Sequence, residues 1–332
     1  MERLIAIKTP GDLEPWTGVP DLPPFDPGDL VRHAPDAHWV LGRNNRETVG
    51  RCSLWWRRAP SVAGHRLGIL GHSAFRDGAA ARRLLAHACR ELAARGCTLA
   101  VGPMDGNTWR RYRLITERGS QPPFFLEPDN PDGWPQHLLE AGFTPLAHYS
   151  SAMSTDLSLQ DPRMEQVARR LAAQGVRIRP LDPQRLEDDL HSIYAVSRIS
   201  FQSSFLYAPV DETEFIAQYR QILPSVRPEL VLMAELRDQP IGFLFALPDA
   251  LQARRGHSID TVILKTVAVL PERAHAGLGN LLVARGHEIA RNLGYTRAIH
   301  ALMHDTNGSR NISRHYAHTI RRYALFARSL RP

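Results

Sequence analysis

The sequence predicts a mixed α/β fold made of two copies of one domain. Three observations carry this. The 332 residues are enough for two domains at roughly 100–200 residues each. Each half is read in the same order: helices, an antiparallel hairpin or meander, a strand, a long helix, a strand, a short helix and a final strand. The long helix of each half holds a leucine pair, Leu84–Leu85 and Leu281–Leu282, which marks an internal repeat.

The elements follow in order. Residues 1–30 are rich in proline, aspartate and glycine and read as an irregular arm. Strands are expected at His38–Arg43, Thr48–Trp56 and Arg66–His72. Leu84, Leu85, Cys89 and Leu92 form one apolar stripe, so Gly78–Arg95 reads as a helix, stopped by Gly96. A strand at Thr98–Gly102, a helical piece at Thr108–Ile115 and a strand at Phe124–Glu127 come next. A short helix Trp134–Ala141 and a strand His148–Met153 close the first half. Pro162–Ala173 reads as a linker helix. The second half gives a strand Val176–Pro180, helices Pro183–Ser197 and Phe215–Ile222, and a hairpin of Leu230–Arg237 with Gln239–Leu247. Thr261–Val269 is a β-branched strand, Leu278–Leu293 a helix and Arg297–Met303 a strand. Asn307 caps a short helix to about Tyr316, and Arg321–Ser329 is the last strand. The division expected is a first domain over 1–157, a linker helix over 158–175 and a second domain over 176–332.

Hydrophobic residues make up 43% and charged residues 23%, which argues against disorder, collagen and coiled coil. No apolar run reaches the ~18–20 residues of a membrane span, and the start lacks the pattern of a signal peptide. Three cysteines, Cys52, Cys89 and Cys97, contain no CxxC pair, so neither a disulfide framework nor a cysteine zinc site is expected. A reducing cytoplasm fits this usage. The net charge is +7, yet Lys8 and Lys265 are the only lysines. Basic residues are spread along the chain, as in a GC-rich genome's arginine bias, so a nucleic-acid partner is not expected.

The stretch Thr266–Leu282 is the most informative. A strand enters Pro271, a turn holds Gly277 and Gly279, and an amphipathic helix follows. The first amides of a helix lack intrahelical acceptors and sit at the positive end of its dipole. Such a turn suits a phosphate group. With Val269–Leu270–Pro271, Gly277, Gly279 and Leu281–Leu282, it resembles the pyrophosphate loop of the GNAT superfamily of acyl-CoA-dependent N-acyltransferases. The position that is usually Arg or Gln holds Ala274, with Arg273 one residue earlier. In the first half the aligned glycine positions hold Ala80 and Arg82, so that copy reads as degenerate, with the Arg82 side chain filling the phosphate space.

The resemblance implies two GNAT-like domains in tandem, with acetyl-CoA or another acyl-CoA as co-substrate and no metal. It covers residues 176–332 well and the first half in outline. It implies that Val267, Ala268, Val269, Arg273, Ala274, His275, Ala276, Gly277, Leu278, Gly279, Asn280, Asn307 and Ser309 contact the cofactor. It also implies that Tyr316 acts as general acid and that a small-molecule or peptide amine is the acceptor. Transfer to an amine needs a base, for which Glu235 and Asp260 are the strand-borne candidates. Lys265 stands in the strand before the loop. Phe205 and Tyr207 follow the first helix of this half and are candidates for the acceptor pocket, or plain core aromatics. Trp109, Tyr112, Glu127, Asp129, Asn130 and Trp134 form an aromatic and polar cluster, read as loop packing or as an acceptor site. His300 and His304 are spaced i,i+4, but on a strand they lie too far apart to share one ion easily. The function expected is N-acyl, chiefly N-acetyl, transfer. The alternative is a non-catalytic acyl-CoA or metabolite binder acting as a sensor or scaffold. The oligomeric state is open.

Overall fold

The computed structural model describes residues 2–18, 22–43, 46–159, 161–306, 313 and 315–331. The first half contains β1 (Arg3–Ile7), β2 (Thr17–Gly18), α1 (Asp29–His33), β3 (Ala37–Gly42), β4 (Glu47–Trp55) and β5 (Leu67–Phe75). It continues with α2 (Gly78–Ala94), β6 (Leu99–Gly102), β7 (Leu114–Glu117), α3 (Trp134–Glu140) and β8 (Thr144–Ser154). The second half contains α4 (Arg163–Ala173), β9 (Val176–Pro180), α5 (Leu186–Ser200), α6 (Glu212–Ile222), β10 (Val231–Leu236) and β11 (Gln239–Pro248). It ends with α7 (Ala250–Arg254), β12 (Thr261–Val269), α8 (Leu278–Asn292), β13 (Arg297–His304) and β14 (His318–Ser329).

The two halves repeat one pairing scheme. Strands β3–β4–β5 are antiparallel and β6 joins β5 in parallel. Strands β10–β11–β12 are antiparallel and β13 joins β12 in parallel. The last strands are exchanged. β8 of the first half pairs with β13, and β14 of the second half pairs with β6. β8 and β14 also pair with each other, antiparallel, from His318↔Met153 to Ala327↔Thr144. The result is one continuous sheet, in the order β1-β3-β4-β5-β6-β14-β8-β13-β12-β11-β10-β9. The sequence order alone assigns each last strand to its own half. The division at 157 therefore separates stretches of chain that one sheet joins.

Helices cover the sheet where apolar stripes demand it. In the first half α2 and α3 lay Leu84, Leu85, Leu92, Trp134 and Leu138 against strand residues such as Leu54 and Phe75. In the second half α8 lays Leu278, Leu281 and Leu282 on one face, and α5 and α6 lay Leu190, Ile193 and Phe215 on the other. The helix expected as a linker, α4, inserts Met164 and Leu171 into the core beneath α8. All three cysteines are buried thiols.

Three local expectations differ from the structure. The arm contains a strand, β1, paired with β3. The segment expected as a helix from Thr108 is a loop that leads into β7. Gly106 has a positive φ, and the Asn107 side chain accepts the amide of Trp109, so turn chemistry wins there. The segment Phe124–Glu127 is a turn rather than a strand, closed by Glu127 N–H to Phe124 O at 3.1 Å. That turn delivers the Glu127 carboxylate to Arg321 on β14, at 2.5 Å, with both side chains fully buried. Tyr323 donates to the same carboxylate, and Arg321 also donates to the carbonyls of Arg118 and Gln121.

This buried pair pins an exchanged strand to the other half. Removing one partner leaves an uncompensated charge in the interior. Arg321→Leu is therefore expected to lower the unfolding free energy by about 3–5 kcal/mol. Urea unfolding measures this, and a loss below about 1 kcal/mol would contradict the role given to the pair.

Candidate active site

The site begins where β12 and β13 part. Their parallel ladder runs only from Thr261↔Arg297 to Leu264↔His300. Immediately beyond it, both strands become irregular. The register of β12 against β11 jumps from Leu264↔Ala246 to Thr266↔Phe245, which leaves Lys265 as a bulge. The register of β13 against β8 shifts between His300 and Met303, and Leu302 takes φ +58°. The β13-facing edge of β12 from Lys265 to Val269 thus borders a slot instead of a ladder.

The slot leads to the glycine turn. Gly277 is the N-cap of α8 with φ +83°, a conformation that suits glycine. A Cβ there would meet Val167 of α4 at 3.0 Å, so this glycine serves close packing behind the loop. Arg170 of α4 donates to the carbonyls of Ala274 and Ala276, fixing the turn from the same side. The amides of His275 and Ala276 are engaged by Glu272 O and Arg273 O, and the first helical bond runs from Leu281 N–H to Gly277 O at 3.0 Å. The amides of Leu278, Gly279 and Asn280 precede that bond and head the helix, where no earlier turn supplies acceptors.

The first half shows the same scaffold closed. Met104 N–H donates to Leu70 O at 2.8 Å, and Asp105 accepts the amide of His72 at 2.5 Å. These bonds stitch β5 to the chain beyond β6. Gly71 lies so close that a Cβ would stand 2.0 Å from Met104 O. At the N-terminus of α2 the Asp77 carboxylate caps Ala80 N–H at 2.9 Å. That protein-borne anion takes the place a phosphate would need. The expectation that Arg82 fills the space is corrected, since Arg82 is exposed and reaches Glu140 at 3.8 Å.

A cavity of ≈930 Å³ joins the slot to the first half. Lys265, Thr266, Val267, His300 and His304 line it from the second half. Trp109, Arg110, Tyr112, Arg113, Glu127 and Asp129 line it from the first. Arg113 is 6% exposed. Its guanidinium lies over Tyr112 at 3.8 Å and Tyr149 at 4.1 Å, and Nη1 donates to Leu302 O at 3.0 Å. Loss of solvent, and then the charge of Arg113, pull the Lys265 ammonium down to about 8. His304 receives the amide of Thr306 on Nδ1 at 3.2 Å, so its neutral ring carries the proton on Nε2, which has no partner in the structure. Burial lowers its pKa.

The expected site residues divide accordingly. Val267, Phe205 and Tyr207 line the cavity. Ala268 is buried, and Val269 ends the strand that borders the slot. Leu278, Gly279 and Asn280 head α8, the leucine side chain being core. Arg273 and Ala274 are exposed. His275 is buried, with Nδ1 3.3 Å from Leu270 O, so neither its ring nor its amide faces a ligand; the Ala276 amide is likewise engaged. Asn307 and Ser309 lie outside the described residues. Tyr316 packs its ring edge-on against His287 at 5.1 Å and does not line the cavity, whereas His300 does.

Both proposed bases are corrected. Glu235 is buried in a network with Arg179 at 2.7 Å, which also holds Asp189 at 2.6 Å. Asp260 precedes β12, at the end far from the loop. Burial would raise its pKa, but bonds from Arg297, Gln252 and Thr261 hold it down near 2. Strand position could not reveal these arginine partners. Lys265 and His304 take the place of the two acids at the cavity. Their sequence signals were the rarity of lysine and the histidine that ends β13.

A second polar cluster closes the cavity in the first half. His38 Nδ1 and His72 Nδ1 lie 2.7 and 2.8 Å from Ser53 Oγ, and His72 Nε2 lies 2.8 Å from His33 Nδ1. Among the described residues, Asp29, His33 and His72 place potential ligand atoms within 4.8 Å of one another. Arg32 already engages Asp29 at 2.8 Å and the two rings bond each other, so the group stands as a hydrogen-bonded relay.

No protein-family model matches the chain, and a search of curated proteins finds no match. Solved structures do match. The GCN5-related glucosamine N-acetyltransferase region of a fungal multi-domain β-N-acetylglucosaminidase aligns with TM-score 0.55 at 13% identity, over 98% of this chain. The chain spans 38% of that structure. A GCN5-related N-acetyltransferase from Anabaena variabilis aligns with TM-score 0.51 at 10% identity, over 92% of this chain and 66% of its own. Eis1 from Mycobacterium abscessus aligns with TM-score 0.50 at 11% identity, over 99% and 74%. The fold is that of the GCN5-related N-acetyltransferases. The chain holds two copies of it, one with an open slot and one stitched shut. Among the described residues, no helix is long and apolar enough to cross a membrane.

The buried histidines set a pH dependence. Burial holds His287 near 4 and His300 near 3. Their folded values lie below the unfolded value, so the unfolded chain binds protons first as pH falls. Their contribution is complete above about pH 6.5 and is lost progressively toward pH 4, at about 1.4 kcal/mol per unit for each ring. Chemical denaturation at pH 7 and pH 5 is expected to show a smaller loss in His287→Phe than in the natural protein.

Proposed function

We propose that the chain is an acyl-CoA-dependent N-acyltransferase with one working site, in the second half. The observation that carries this is the contrast between the copies. The slot and the amide-headed helix are open in the second half, and both are filled by the protein's own groups in the first. The named activities of the fold neighbours agree in class, and acetyl transfer is the expected form. The slot suits an extended arm laid beside Lys265–Val269, and the amides of Leu278, Gly279 and Asn280 suit a pyrophosphate.

An acyl-CoA would supply a thioester carbon, where a C–N bond to the amine forms as the C–S bond breaks and a thiolate leaves. The chain's own groups serve that exchange. Lys265, bulged into the cavity with a pKa near 8, is the base that takes the proton of the attacking ammonium. The Nε2–H of His304 is a donor for the developing oxyanion. The aromatic wall of Trp109, Phe205 and Tyr207 limits the water that reaches the acceptor. The second proton, which the nitrogen sheds once the C–N bond has formed, passes through water to the leaving thiolate.

Two measurements test this. Gly279→Asp places a carboxylate in the first turn of α8, among the amides assigned to the phosphate. An acid in the first turn suits a helix, so folding is preserved while CoA affinity is expected to fall at least ten-fold. An unchanged CoA-dependent shift in melting temperature would refute the phosphate site. The second is the pH profile of kcat/KM for acetyl-CoA turnover. Neutral Lys265 accumulates as pH rises through about 8, so the rate should climb there and level off above. Lys265→Met is expected to remove that limb and most of the rate; a retained limb assigns the base elsewhere.

A further inference from the structure

The cavity holds cations that no carboxylate answers. Its acids are engaged elsewhere, Asp105 by the amide of His72 and the others by arginines. Asp26 and Asp29 pair with Arg32, Asp129 with Arg118, and Glu127 with Arg321. Arg110 is matched by Glu214 at 2.7 Å. Arg51 and Arg111 also lack a carboxylate, but they bond first-half carbonyls, those of Pro23, Pro24 and Asp129; Arg113 and Lys265 stand at the slot itself. Among the described residues neither has an ion pair, and the one hydrogen bond of the Arg113 side chain goes to Leu302 O, with Nε left without a partner. A buried guanidinium without a counter-ion is costly. Two tyrosine faces offset part of that cost and leave the fork without the carboxylate geometry it fits.

The location identifies what the missing anion belongs to. Arg113 bonds the carbonyl of Leu302, in the irregular stretch of β13 that forms one lip of the slot. Lys265 forms the other lip. The phosphate-binding amides begin at Leu278, after a strand that runs four residues past Lys265, which is ~13 Å at ~3.3 Å per residue. The cation pair therefore lies at the acyl end of the slot, away from the CoA phosphates. Arg113 comes from the half whose own slot is shut.

We propose that the acceptor is an amine carrying its own anionic group, as an amino acid does, and that Arg113 receives that anion while the amine faces the slot. This rests on the acyl-transfer reading of the same site. The closed first copy then has a task, since its loop after β6 supplies the acceptor subsite for the open copy. Arg113 is a binding and orienting residue. The aromatic wall of Trp109 and Tyr207 (ring centroids 6.1 Å apart) offers room for an apolar side chain.

The test uses the full chain loaded with CoA. Thermal shift and acetyl-CoA turnover are measured with phenylalanine, tyrosine and leucine, and with phenethylamine, tyramine and isoamylamine. Phosphoethanolamine and ethanolamine form a third arm. The expected result is that anion-bearing amines shift the loaded protein, with kcat/KM at least ~100-fold above the neutral partner of each pair. Arg113→Met should erase that preference while keeping the shift caused by CoA itself, which shows that the variant folds. A preference for phosphoethanolamine alone keeps the anion and names phosphate as its source. Equal use of neutral amines, or no shift by any anion-bearing amine, overturns the inference. If CoA itself causes no shift in the natural protein, the acyl-transfer reading fails first, so the two failures are distinguishable.

Discussion

The exchange of the last strands is the constraint from which the rest follows. β8 lies against β13 and β14 lies against β6, so neither half completes its sheet with its own chain. The exchange brings the loops of the first half over the slot of the second. The Arg321–Glu127 pair, fully buried, ties β14 to the turn at Phe124–Glu127 and so holds part of the cavity wall. A hydrophobic pair of similar volume could hold the strand equally well. The ionic pair adds direction, because its fork bonds two carbonyls of the same loop.

On this frame, one scaffold has been used in two ways. Both copies have a parallel pair of strands with an irregularity just past the shared ladder. In the second half the strands separate there, and the amides of Leu278, Gly279 and Asn280 head α8 ahead of its bond from Leu281 to Gly277. In the first half Asp105 and Met104 bridge the same place and Asp77 caps the helix. The closed slot gives the first copy a rigid edge. Trp109, Arg110 and Arg113 project from the loop next to that edge.

Electrostatics divides the molecule further. Most surface arginines meet carboxylates, as the exposed pairs of Arg32, Arg163 and Arg220 show. Such pairs contribute little each. The consequential charges are the ones set inside the cavity, where low dielectric strengthens them. Arg113 and Lys265 oppose each other there, and each comes from a different half.

Much of this was legible in the sequence. The leucine pairs and glycine-stopped helices have a period of 3.6, and the β-branched strand before Pro271 needs only local propensity. The repeat and the glycine turn before the long helix were therefore readable from residue spacing, as was the absence of those glycines in the first half. Partners distant in the chain were not. Glu235 and Asp260 look like free acids until Arg179 and Arg297 arrive from other strands. His304 and Lys265 look ordinary until two register shifts turn them to one cavity. Local sequence sets which faces are apolar and where helices begin, because neighbouring residues decide those. The tertiary structure alone decides which strand completes which sheet and which charge goes unanswered, because those energies depend on groups far apart in the chain, as Arg113 and Leu302 are at 189 residues.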